Sequence, residues 1–270
     1  MGNDRLTEYR RFVAAKAQAD PPTGIEDVPP INAQLFPFQR DIVRWALRRG
    51  RACIWADCGL GKTPMQLEWA KHIPGDVLIV APLAVAEQTR REGEKFHVPV
   101  EYSRDGTKRG KVTITNYEML EHFTPADFAG VVLDESSILK SYTGKFRTFL
   151  VQEWTRVPFR LACTATPAPN DFMELGNHAE FTGAMRGSEM LSSYFINDPG
   201  NVGRYRLRGH AEKPFYRWMA GWAVMIRKPS DLGYSDDGFT LPPLRMHDVV
   251  LDSHKAADGM LFAVDAVTLQ

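Results

Sequence analysis

The chain has 270 residues, 44% of them hydrophobic, and its 33 Lys and Arg balance its 33 Asp and Glu. That length buries one sizeable core with room for an insertion or a small second unit. Zero formal net charge excludes a globally basic field, so a nucleic-acid site has to be a local groove. The three cysteines, Cys53, Cys58 and Cys163, form neither a CxxC pair nor a disulfide framework, as expected of a reducing compartment. An N-terminal apolar leader and an apolar run of membrane-spanning length are both lacking, so the expectation is a soluble, cytoplasmic protein with no membrane partner.

In chain order, Asp4 to Ala19 has helix-forming composition and Pro21–Pro22–Thr23–Gly24 ends it. Leu35–Phe36–Pro37–Phe38–Gln39 enters a helix carrying Phe38, Ile42, Trp45 and Ala46 on one face, closed by Arg48–Arg49–Gly50. The apolar run ending in Trp55–Ala56 reads as a buried strand. A helix over Pro64 to His72 follows, then the strand Val77 to Ala81 stopped by Pro82, and a helix from about Ala84 to Phe96. Further strands are expected at Val112–Thr115, at Gly130–Leu133 leading into Asp134–Glu135, and at Phe159–Cys163 leading into Thr164–Ala165–Thr166–Pro167. Strands alternating with helices imply an α/β fold with a mostly parallel sheet, whose ligands gather at the carboxyl ends of the strands.

Between the first strand and its helix lies Asp57–Cys58–Gly59–Leu60–Gly61–Lys62–Thr63. Glycines at 59 and 61 let backbone N–H groups face phosphate oxygens, and the helix N-terminus adds its positive dipole end. Lys62 would reach the β- and γ-phosphates and the Thr63 hydroxyl would hold Mg²⁺. Ala56 stands where the general motif has its first glycine, and a chance Gly-rich turn is the competing explanation of this stretch taken alone. Gln39, read as sitting at the exposed start of its helix, has an amide able to pair with both edges of adenine; a solvated glutamine is the alternative. Asp134 closes an apolar strand, where a carboxylate is costly unless a cation meets it, so it is the candidate Mg²⁺ ligand. Glu135 is then placed to orient or deprotonate an attacking water, although an acid pair at a helix N-terminus is the blander account.

With these residues assembled, the chain resembles the first RecA-like lobe of superfamily 2 helicases and translocases, especially the Swi/Snf-type DNA translocases and their phage-encoded relatives. The resemblance runs from Leu35 to Pro167. It rests on Leu35, Pro37, Phe38 and Gln39 as an adenine-contacting element and on Ala56 to Thr63 as the A-x-x-G-x-G-K-T form of the phosphate loop. It implies that Val80–Ala81–Pro82, with Leu83 and Gln88, and Thr115–Asn116–Tyr117 face a nucleic-acid strand. Asp134–Glu135 matches the Asp-Glu box, and Thr164 and Thr166 match the element that links the γ-phosphate to lobe movement. Ser136–Ser137 departs from the Ala-His that many relatives carry there, which removes a histidine with a proposed coupling role.

The resemblance implies a P-loop NTPase fold binding ATP and Mg²⁺, with Lys62, Asp134 and Glu135 catalytic, acting on DNA rather than RNA. For a phage-encoded protein the compartment would be the host cytoplasm. The expected division is an N-terminal helix and linker over 1–28 and the ATP-binding lobe over 29–180. A mainly helical extension would cover 181–240, and a linker with the possible start of a second lobe 241–270. Arg204, Arg206, Arg208, Lys213, Arg217, Arg227 and Lys228, interleaved with Tyr205, Phe215, Tyr216, Trp218 and Trp222, suit either strand binding or a helical insertion with core aromatics and solvated cations. Leu241–Pro242–Pro243–Leu244 resembles the family's exit from lobe one, and Met246 to Leu251 would open the second lobe. The arginine fingers of that lobe, worth roughly 10³–10⁵ in rate or about 4–7 kcal/mol, do not occur in the chain, so a second lobe in cis or in trans is expected. A non-catalytic ATP-gated binding module and an RNA helicase are the alternatives.

Overall fold

The computed structural model describes residues 21–140, 145–168, 172–197 and 205–239, without the side chains of 140 and 145–147. The expected helix at Asp4 to Ala19, the Leu241 to Leu244 exit, the Met246 to Leu251 strand and Arg204 lie outside the described residues. A sheet of seven strands forms the centre: β1 (Arg51–Ala56), β2 (Val77–Ala81), β3 (Glu101–Tyr102), β4 (Val112–Asn116), β5 (Gly130–Asp134), β6 (Phe159–Thr164) and β9 (Ala223–Ile226). Their order is β3-β4-β2-β5-β6-β1-β9, and every pairing in the sheet is parallel. All seven strands therefore end at one edge, where Asp134 lies opposite Cys163 and Cys163 opposite Ile54.

Strands buried on both faces need apolar side chains in both directions. In β1 Ala52, Ile54 and Ala56 enter one core while Cys53 and Trp55 enter the other. The first core is closed by α1 (Pro37–Arg49), α2 (Lys62–His72) and α3 (Leu83–Lys95), which supply Phe38, Ile42, Leu67, Trp69 and Ala86. Helix α1 ends as its sequence dictates, with Arg48 and Arg49 in the last turn and Gly50 at φ 78° donating its N–H to Ala46 O. The second core is covered by α4 (Lys145–Trp154), α5 (Glu174–Thr182), α6 (Gly187–Tyr194) and α7 (Glu212–Met219).

The segment expected to be a helical extension contributes more than helices. Phe195–Asn197 (β7) and Tyr205–Leu207 (β8) pair antiparallel, and β9 docks beside β1 as an edge strand of the main sheet. The apolar window Trp218 to Ile226 is thus divided: Trp218 closes α7, Trp222 is buried in the turn, and Ala223 to Ile226 extends the sheet. Four residues with one exposed side chain carry too little alternation to announce a strand in advance.

Candidate functional site

The loop between β1 and α2 opens on Asp57, whose Oδ1 accepts the Cys58 N–H at 2.7 Å. Asp57, Cys58 and Gly59 are exposed, while Leu60 is buried and anchors the loop. Gly59 and Gly61 both have positive φ, 83° and 74°. A Cβ on Gly61 would lie 2.3 Å from Gln39 Nε2, whereas one on Gly59 would meet nothing within 4 Å, so the first is demanded by packing and the second keeps the loop's mouth open. Lys62 Nζ, at the first turn of α2, donates to Ala56 O at 2.8 Å and to Asp57 O at 3.4 Å. Thr63 beside it is half-buried.

Gln39 differs from its expected setting. It is 4% exposed, not at an open helix start: its Oε1 accepts the Phe36 N–H at 2.9 Å and its Nε2 donates to Leu60 O at 2.9 Å. The amide ties the helix entry to the phosphate loop, and one N–H and one lone pair remain of its full complement. The proline at the head of α1 fixes the turn that delivers it.

Two strands away, Asp134 closes β5 at 7% exposure. Its Oδ1 accepts Gln66 Nε2 at 2.7 Å and the Glu135 N–H at 3.1 Å, and among the described residues Oδ2 has no hydrogen-bond partner. Burial pushes this carboxyl above its usual range, against the opposing pull of Gln66, the Glu135 N–H and the Lys62 charge. Glu135 adopts φ 54°, a left-handed conformation costly for a residue with a side chain and a mark of functional sites. Its Oε1 receives two hydroxyls, Ser137 Oγ and Thr164 Oγ1, each at 2.8 Å. Thr164 in turn accepts the Thr166 N–H at 3.1 Å, and Thr166 is exposed.

These distances bring Lys62, Thr63, Asp134, Glu135, Thr164 and Thr166 to one edge of the sheet, with Gln66 joining the lysine-bearing helix to the acid pair. Gln66 went unnoticed in the sequence. Its signal is a polar residue one turn beyond Lys62, on the same helical face, in a buried stretch whose other polar member is Glu68. The site suits magnesium nucleotide on two observations. A buried carboxylate has an unmatched oxygen, and an open glycine loop faces the same edge. Among the described residues no cluster of three His, Cys, Asp or Glu could hold a metal by itself. A divalent ion here would thus draw ligands from phosphate and water, as Mg²⁺ commonly does.

The candidate nucleic-acid residues separate into two groups. Leu83, 62% exposed, and Gln88, exposed, stand on the outer face of α3, with Pro82 half-buried at its start. Thr115, Asn116 and Tyr117 are buried instead, which corrects the expectation that they face a strand. Thr115 Oγ1 donates to Ser103 O, Asn116 Nδ2 to Glu118 Oε2, and Tyr117 Oη to Asp134 O at 2.6 Å. Tyr117, just past β4, reaches across β2 to the Asp134 carbonyl, while Thr115 and Asn116 bond nearby, so these polar groups turn inward. In the basic, aromatic segment, Phe215, Trp218 and Trp222 are core, and Trp222 stands edge-on to Trp55 at 5.5 Å. Arg206, Lys213, Arg217, Arg227 and Lys228 are exposed, with Tyr216 the exposed aromatic among them at 43%. The reading with core aromatics and solvated cations describes this region.

No protein-family model matches the chain. Among curated proteins it is similar to the chromodomain-helicase-DNA-binding protein 1-like of Danio rerio, 29% identical over a match covering 52% of this chain and 16% of that protein. It is also similar to the DNA annealing helicase and endonuclease ZRANB3 of Bos taurus, at 28% identity covering 51% of this chain and 15% of the relative. The chain thus matches about a sixth of these relatives' length. Among solved structures, the Sulfolobus solfataricus SWI2/SNF2 ATPase core in complex with dsDNA superposes with a TM-score of 0.63 at 21% identity, covering 78% of this chain and 48% of that one. The fold is RecA-like, as in that SWI2/SNF2 ATPase core, and in sequence the chain is similar to part of each of the helicases named above. Among the described residues no helix is long and apolar enough to cross a membrane.

Proposed function

We propose that this chain is the nucleotide-binding lobe of an ATP-dependent DNA helicase or translocase, which binds ATP with Mg²⁺ and hydrolyses it together with a second RecA-like lobe. The observation that carries the reading is the shared strand edge at which the Lys62 loop and the Asp134–Glu135 pair meet, joined by the Gln66 to Asp134 hydrogen bond at 2.7 Å. Support for DNA comes from the named activities of the relatives and from the duplex in the archaeal structure.

In this reading the Gly59 to Gly61 backbone and Lys62 hold the phosphates, Asp57 lines the approach, and Gln39 braces the loop from within through Leu60 O. Thr63 and Asp134 hold the magnesium ion, whose charge when bound neutralises the phosphate oxygens and the buried carboxylate. Glu135 takes the proton of the attacking water: Ser137 and Thr164 fix Oε1, and Oε2, with no partner among the described residues, remains as the accepting atom. Thr164 and Thr166 carry the state of the site toward the neighbouring lobe. Leu83 and Gln88 form the nucleic-acid contact of this lobe.

The test is ATP binding by the chain in Mg²⁺, followed by ATP turnover with single-stranded DNA, duplex DNA and RNA. DNA is expected to stimulate turnover more than RNA does. Failure to bind ATP overturns the reading, and stimulation by RNA alone moves it to RNA helicases.

A further inference from the structure

His178 lies at the middle of α5, fully buried, and the chemistry assigned above makes no use of it. Its Nε2 is 3.1 Å from Ser136 Oγ, and Ser136 directly follows the acid pair. Its Nδ1 is 3.4 Å from Glu174 O. A carbonyl only accepts, so Nδ1 carries the proton in the neutral ring and Nε2 accepts the Ser136 hydroxyl. Burial lowers the imidazole to about 4, so the ring is neutral near pH 7 and this tautomer is the resting one. The ring also stands edge-on to Trp55 at 5.6 Å, one residue before the end of β1. The preceding residue, Asn177, donates Nδ2 to Leu139 O at 2.6 Å, so α5 grips the turn after the acid pair at two points.

These contacts meet at the one non-glycine residue of the site with strained backbone. Glu135 at φ 54° persists only where its surroundings over-determine it. Its side chain is fixed through Oε1, and its following residue is fixed through Ser136. We propose that His178 is a positioning residue for the hydrolysis assigned to Glu135: by accepting the Ser136 hydroxyl it holds the turn that keeps Glu135 in its left-handed conformation and aligned for proton transfer. It does so from the helix that follows the Thr164 to Pro167 element, with Trp55 joining it to the strand that leads into the phosphate loop. This inference rests on the proposed ATPase reading.

The test compares Ser136→Ala, His178→Met and His178→Gln in the full chain, measuring turnover, KM for ATP and thermal stability. Glutamine can place an amide near the Nε2 position, whereas methionine fills the volume without the polar contact. Ser136→Ala and His178→Met are each expected to lower kcat by about tenfold with KM within about twofold. His178→Gln is expected to recover most of that loss, and Ser136→Ala with His178→Met together to do little more than either alone. Unchanged kcat in a folded Ser136→Ala chain overturns the proposal, as does a glutamine variant as impaired as the methionine one. Lys62→Ala separates the two readings: turnover that does not need Lys62 overturns the site assignment, while Lys62-dependent turnover indifferent to Ser136 overturns the role of His178 alone.

Discussion

Two strands of the sheet, β5 and β4, separated by β2, end in short polar runs, and they behave in opposite ways. At the end of β5, Asp134 and Glu135 each keep one carboxylate oxygen unmatched among the described residues, and Glu135 is held in a strained conformation. At the end of β4, Thr115, Asn116 and Tyr117 bond to Ser103, Glu118 and the Asp134 carbonyl and are buried. In sequence the two runs look alike, since each is an apolar strand followed by polar residues. Where the hydrogen bonds go separates them: a group left unmatched and strained is a reagent, whereas a satisfied and buried group is a support.

The comparison breaks most easily at Glu135. Glu135→Gln keeps the shape and both neighbouring hydroxyls but removes the base, so turnover is expected to fall by about 10²–10⁴-fold while ATP affinity stays within about threefold; equal losses in both would make the residue a binding group. Next in size is Lys62→Ala, expected to weaken ATP binding by at least about 30-fold, or about 2 kcal/mol, as for a lost charged contact; titration calorimetry reads it directly.

On the other side of the comparison, Tyr117→Phe removes the hydroxyl that supports Asp134. It is expected to cost about 1–2 kcal/mol of stability with DNA affinity unchanged, whereas Gln88→Glu is expected to weaken DNA binding by a few-fold without affecting stability. Denaturant melts beside a DNA-binding curve distinguish the two, and a reversed pattern would return Tyr117 to the DNA-facing group.

The smallest effect concerns a carboxylate that is wholly structural. Burial raises the Glu68 carboxyl, but the hydrogen bonds from His72 and the Asn32 N–H and the charge of Lys71 outweigh it, leaving it below its ordinary 4.5. A lowered acid stabilises the fold above its unfolded value, and that stability is lost as pH falls through the folded one. Glu68→Gln should therefore cost about 1 kcal/mol at pH 7, and the difference from the parent should shrink below about pH 4.5.

How much was legible follows from the same physics. Strands β1, β2, β5 and β6 stand out because burial on both faces makes them unbroken apolar runs, and the phosphate loop stands out because its glycines have few substitutes. Ends of helices fell within a residue or two, α2 opening at Lys62 and α3 at Leu83. The hairpin of β7 and β8 and the edge strand β9 were not legible, being three or four residues long, each with one exposed residue and no regular alternation. In the candidate site, residues recognised by spacing along the chain could be named, and those acting across it could not. Gln66 reaches Asp134 over 68 positions and His178 reaches Ser136 over 42, and no local pattern encodes such a meeting.

The resting posture of Lys62 carries a consequence for selectivity. Its ammonium is already seated on the carbonyl oxygens of Ala56 and Asp57, so capturing an anion is a swap of partners rather than the filling of an empty hand. A small oxyanion that touches only the lysine must outcompete two carbonyls alone, whereas a polyphosphate also recruits the amides along the turn. If the loop takes phosphate as proposed, it would favour longer phosphate chains before any ligand arrives.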